Sequence, residues 1–108
     1  MKKILQIVLF SIFLYGNVVV ASTQTAKITR VGCAITGNTC YAYIDQDIVT
    51  TCPKNDKSFR FPSDGANGKE ALSILLTAQA MNKSVQFGGA SAKCHTGFPS
   101  FLWLSVKN

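Results

Sequence analysis

A single histidine, His95, limits the chemistry this chain can carry. A Ser-His-Asp or Cys-His mechanism would need it as the base, and the four cysteines are better accounted for as disulfides. No C-x-x-C pair is present, so a zinc site lacks both the usual thiolate spacing and a second imidazole. Carboxylates are few: Asp45, Asp47, Asp56, Asp64 and Glu70. Asp45 and Asp47 lie close enough in sequence to suggest a paired acid, but one turn holding two solvated acids is the common case. The Asp45-Gln46-Asp47 turn also offers too few oxygens for calcium. Gly65, Gly68, Gly88 and Gly89 lack the spacing of a phosphate loop. No internal repeat, low-complexity tract or linker is visible. These absences point away from an enzyme, a metal site or a bound cofactor, and toward a binding module.

Long apolar runs are absent too, with one instructive near-exception. Residues 4–15 are almost unbroken apolar sequence, preceded by Met1-Lys2-Lys3 and followed by the interrupting pair Gly16-Asn17. A membrane-spanning helix needs about 20 such residues. The run instead has the form of a secretory signal peptide, with Val19-Val20-Ala21 leading to a cut between Ala21 and Ser22. The basic opening would orient insertion. No cysteine stands at the cut, which argues against a lipoprotein. The reading divides the chain into a signal peptide over 1–21 and one domain over 22–108, exported to the periplasm or beyond and without a stable membrane anchor.

About 87 exported residues make one small domain, marginal on its apolar core alone. Cys33, Cys40, Cys52 and Cys94 all lie in this part, and an even count in an oxidising compartment reads as two disulfides. The formal charge of +6 falls to +4 when Lys2 and Lys3 leave with the signal. The remaining bases are scattered. Only Lys54, Lys57 and Arg60 approach a cluster, with Asp56 among them. Such a surface is solvated and mildly basic rather than a nucleic-acid stripe. It leaves an acidic cell surface as a permitted partner.

Residues 27–35 are rich in β-branched side chains and predict a strand. A turn over 36–39 leads to a second strand over 40–44. Centring the turn on Gly37-Asn38 puts Cys33 diagonal to Cys40; centring it on Thr36-Gly37 puts them opposite. Either register leaves both sulfurs on one face within disulfide reach. Cys33 is therefore expected to pair with Cys40, and Cys52 with Cys94 by elimination. On the second strand Cys40, Ala42 and Ile44 alternate inward, which turns Tyr41, Tyr43 and Asp45 to the other face. Two outward tyrosines beside an acid suit a sugar ring, with its apolar C–H surface and polar edges. The same rings would also serve cross-strand packing or a subunit contact.

A third strand is predicted over 48–52, ended by Pro53, and a short aromatic strand over 58–61. The single helix is predicted over 69–83, with Asn67 as its cap. Ala71, Ile74, Leu75, Ala78 and Met81 make one apolar face, and Leu72 and Leu76 widen it beyond the usual stripe. The wide arc fits either a deep seat in the domain or a neighbouring subunit. Further strands are predicted over 84–87, with a continuation over 90–94 past a bulge at Gly88-Gly89, and over 100–106. In the last, Leu102, Leu104 and Val106 share one side while Phe101 and Trp103 share the other, so it should be covered on both faces. Leu72, Leu76, Phe101 and Trp103 are the candidates for an oligomer interface.

The expected fold is therefore mainly β with one helix, a small five- to six-stranded Greek-key barrel of the oligonucleotide/oligosaccharide-binding (OB) type. The alternative is an α+β sheet with the helix packed on one face. The hairpin, Thr50-Thr51-Cys52-Pro53, the helix sequence from Gly68-Lys69-Glu70-Ala71 to Thr77-Ala78, and a later cysteine before the final strand together resemble the small B subunits of bacterial AB5 toxins. In outline the chain is most similar to B subunits of the subtilase-cytotoxin and pertussis-toxin type. The resemblance spans most of the exported part in layout and matches no sugar pocket residue by residue. It implies a homo-oligomeric ring, by analogy a pentamer with the helix near its axis, recognition of a cell-surface glycan, and room for an enzymatic A subunit. The competing reading is a monomeric periplasmic inhibitor or accessory protein that binds another protein. Export, modest charge and the lack of a visible basic-aromatic groove set nucleic acid aside.

Overall fold

A computed structural model describes residues 23–90 and 93–108. The signal-peptide reading over 1–21 lies outside these described residues. Five strands form one antiparallel sheet: β1 (Gln24–Cys33), β2 (Thr39–Ile44), β3 (Ser58–Pro62), β4 (Ser84–Gly88) and β7 (Trp103–Lys107). Their spatial order is β3-β2-β1-β4-β7. A two-stranded hairpin of β5 (Cys94–His95) and β6 (Phe98–Pro99) packs beside β3. The one helix, α1, runs from Gly68 to Ala80. The fold is mainly β with one helix, but the expected barrel is not closed. β3 and β7 stand at opposite edges with no ladder between them, as in an open sheet with a packed helix.

The helix forms where Lys, Glu, Ala and Leu accumulate without proline. It stops at Asn82, whose φ of 53° is left-handed. There Asn82 N–H donates to the Gln79 carbonyl and Lys83 N–H to that of Ala78, which satisfies the last carbonyls. At the other end Asn67 occupies the cap position but makes no side-chain cap bond, contrary to expectation, because its own φ of 62° is left-handed. Ala71, Leu75 and Ala78 are buried against the sheet, and Leu72 packs at the margin of that core. Met81 falls just past the last turn and is exposed, so the predicted apolar face is one residue shorter.

The core fills the space between α1 and the inner sheet face. Phe59 on β3 stacks on Phe87 of β4 with centroids 4.2 Å apart, and Phe101 meets both edge-on. Phe61 completes the cluster at 5.4 Å from Phe101. Ile28, Ala42, Ile44, Leu75 and Val85 surround these rings.

Two further expectations about strands are corrected. Residues 48–52 form no strand. Side chains take the place of a ladder there: Asn55 Nδ2 donates to the Ile48 carbonyl, Val49 N–H to Gln24 Oε1, and Cys52 N–H to Thr50 Oγ1. Nor does the strand after Gly88 continue; Gly89 turns with φ of 75°, and Cys94–His95 pair with β6 instead.

Both disulfides are present, Cys33–Cys40 and Cys52–Cys94. Cys33 lies directly opposite Cys40 in the β1–β2 register, which settles the hairpin on the Thr36-Gly37 centre. Cys52–Cys94 ties the strandless 48–52 segment to the β5–β6 hairpin. Two disulfides mark a chain that folds in an oxidising, exported compartment. Among the described residues, no helix is long and apolar enough to cross a membrane.

Candidate functional site

The outer sheet face, opposite the core, gathers the chemistry. Strict alternation along β2 buries Cys40, Ala42 and Ile44 and leaves Tyr41 and Tyr43 half-exposed. Tyr41 stands between Gly32 of β1 and Arg60 of β3, and Tyr43 between Arg30 and Ser58. The two rings meet edge to face with centroids 5.6 Å apart. Tyr41 leans across β1 at Gly32, where any Cβ would run into its ring. Only glycine leaves that notch.

Arginines lie on these rings. The Arg30 guanidinium sits 4.9 Å from the Tyr43 centroid and 5.9 Å from that of Tyr41. Arg60 sits 5.8 Å from Tyr41 and 3.8 Å from Phe98 of the small hairpin. Such cation–π contacts contribute about 0.5–1 kcal/mol each at exposed sites. They hold the planar groups in place with N–H donors still available.

The acid that serves this face is Asp56. It accepts hydrogen bonds from the Ser58 hydroxyl, from Tyr43 Oη at 3.2 Å and from Arg60 Nη2 at 2.9 Å. Arg60 Nε also donates to Ser58 Oγ, at 3.0 Å. Partial burial pushes the Asp56 carboxyl up, but the Ser58 hydroxyl, the Arg60 charge and the Tyr43 hydroxyl outweigh it and hold its pKa below the usual carboxylate value. A depressed folded-state pKa adds stability that is present above the unfolded value and lost as pH falls through the folded one. Asp56→Asn is therefore expected to lower the melting temperature at pH 7 and to flatten the acid-induced loss below about pH 4. Melts at pH 7, 4 and 2.5 check this; equal slopes for both proteins would refute it.

The structure brings together Tyr41 and Tyr43 but not Asp45. That carboxylate accepts from the Lys27 amide at 3.2 Å and so fixes the end of β2. Asp56, Arg30 and Arg60 were missed. Alternation with Ser58 along β3 carried a signal for Arg60, whereas Asp56 lies in the loop before that strand. Arg30 had none, because plain alternation puts it on the inner face with Ala26 and Ile28. A register shift between Ile28 and Arg30 turns it outward.

The interface candidates scatter. Leu76 is 48% exposed and Leu72 is half-buried. Phe101 and Trp103 do not share a face as expected. Phe101 precedes β7 and enters the aromatic core, whereas Trp103 opens β7, 48% exposed, with its indole flat against Gly88. The outer side of this strand is thus left uncovered, contrary to the expectation of cover on both faces. A depression of about 440 Å³ lies between α1 and this segment, lined by Phe61, Ile74, Phe101, Leu102, Trp103 and Leu104. His95 bonds Thr39 Oγ1 through Nε2 at 3.1 Å. Among the described residues no three metal-ligating side chains gather.

Compared with family models, curated proteins and solved structures, the chain matches none.

Proposed function

We propose that this protein is an exported, non-enzymatic binding module that recognises cell-surface glycan and works as a homo-oligomeric ring, in the manner of a toxin B subunit. The observation that carries the reading is the Tyr41–Tyr43 pair on an exposed sheet face, flanked by Arg30 and by the Gly32 notch. Tyrosine edges and hydroxyls beside guanidinium donors suit the hydroxyl-rich rim of a sugar. Both disulfides support a role without thiol chemistry, since they engage all four cysteines.

Assembly is supported by the edge of β7, which no strand pairs among the described residues, with Leu102 69% exposed beside it and the apolar depression adjoining. An uncovered strand edge with apolar neighbours is a surface that another chain can cover. A second copy doing so repeatedly makes a closed ring. Weak single sites would then gain useful affinity through avidity.

Tyr43→Ala is expected to abolish binding on a broad glycan array while keeping the far-ultraviolet spectrum and oligomer size of the parent. Normal binding by the variant would place the site elsewhere. Light scattering behind size exclusion reads the assembly; a strictly monomeric mass at tens of micromolar would favour the inhibitor reading instead.

A further inference from the structure

We infer that the ligand of the outer sheet face is a linear polyanionic polysaccharide, bearing sulfate or carboxylate groups along its length and lying across the strands from Arg60 and Arg30 to Lys27 and Lys107. This rests on the glycan reading and narrows its ligand class. The strand registers place the cations in rows. Arg60, Tyr41 and Gly32 lie abreast on β3, β2 and β1, followed by Ser58, Tyr43 and Arg30. Past the bulge, Lys27, Ser84 and Lys107 lie abreast on β1, β4 and β7. Strands spaced about 4.8 Å apart, with about 3.4 Å per residue, put successive cations on the order of 10 Å apart. Lys27, Lys83 and Lys107 also surround a shallow depression of about 400 Å³, lined as well by Thr25 and Ser84.

The acid among the tyrosines, Asp56, is already paired with Arg60 and held by Ser58 and Tyr43, and Asp45, which accepts from the Lys27 amide, leaves one negative charge beside the row of cations. Asp47 pairs with Lys57 at 3.9 Å. Among the described residues, Arg30, Lys27 and Lys107 have no carboxylate in ion-pair range, and all three are exposed. The tyrosine rings are not bare stacking platforms, because the guanidinium groups lie over them. A neutral sugar meets cations here, whereas an anionic one meets fixed N–H donors. One exposed ion pair contributes little, so a track of several is what a repeating polyanion can use.

The exported chain is titrated by calorimetry with heparin, polygalacturonate, neutral dextran and single-stranded DNA of similar length. Heparin or polygalacturonate should bind at least about tenfold more tightly than dextran, and raising salt from 50 to 300 mM should weaken binding about tenfold or more. Arg30→Ala, and separately the pair Lys27→Ala/Lys107→Ala, should each weaken it about tenfold with the far-ultraviolet spectrum of the parent retained. Dextran binding as tight as heparin overturns the polyanion inference and leaves the glycan reading standing. No binding to any polysaccharide here, with none on a broad glycan array either, overturns both. DNA binding as tight as that of the polysaccharides overturns the inference in favour of a nucleic-acid surface, and an unaffected Lys27/Lys107 pair overturns the extended track.

Discussion

Replacing Cys52 and Cys94 together by alanine is expected to reduce the stability of the fold by about 4 kcal/mol. The two cysteines are 42 residues apart in sequence, and closing a loop of that size removes much of the freedom of the unfolded chain. The Cys33–Cys40 bridge closes a separation of 7, so its removal should cost less, about 2.5 kcal/mol in the same treatment. Native contacts add to the difference. Cys52–Cys94 links two segments outside the main sheet, and the 48–52 segment has side-chain hydrogen bonds rather than a ladder to hold it. Urea titration of the two paired-alanine variants reads both losses. Equal destabilisation, or a smaller effect for Cys52/Cys94, would show that the long bridge merely decorates a structure that closes without it.

Both bridges were legible because each needs only proximity. A seven-residue hairpin brings Cys33 and Cys40 together in either register, and the second pair follows. The inward set Cys40, Ala42 and Ile44, and with it the outward tyrosines, was legible because β2 alternates without interruption. The same rule failed on β1, since a bulge adds a residue and inverts the phase beyond Ile28. That single irregularity hid Arg30 and with it the cationic character of the site. Asp45 looked like the acid of the patch from its place on the strand. The acid that reaches Tyr43 comes instead from the loop before β3, and loop geometry has no period to read. Residues 48–52 have the composition of a strand but not its partners. At the end of the chain, strict alternation paired Phe101 with Trp103. The backbone is irregular until Trp103, so Phe101 turns to the core and Trp103 to the outer face.

Barrel closure was also expected and did not occur, which changes what holds the two edges together. With no ladder between β3 and β7, side chains must bridge the seam. Phe59 and Phe61 come from β3, Phe87 from β4, and Phe101 from the approach to β7. Phe59 is fully buried and touches both other layers of this cluster. Its replacement by alanine should cost about 3–5 kcal/mol, since the lost burial adds to a cavity that stacked rings refill poorly. Phe61→Ala should cost less, because Phe61 borders the open depression and the vacated space can hydrate or collapse. A domain of this size has a total stability of about 5–10 kcal/mol, so Phe59→Ala should leave much of the chain unfolded at 37 °C, while Phe59→Leu should remain folded. The seam itself is read by a double-mutant cycle between Phe59 and Phe101, each changed to leucine. A coupling of about 0.5–1.5 kcal/mol is expected if the rings join the two edges. Additive losses would mean that β7 is held by its β4 ladder alone, and the aromatic cluster would then be filling rather than a closure.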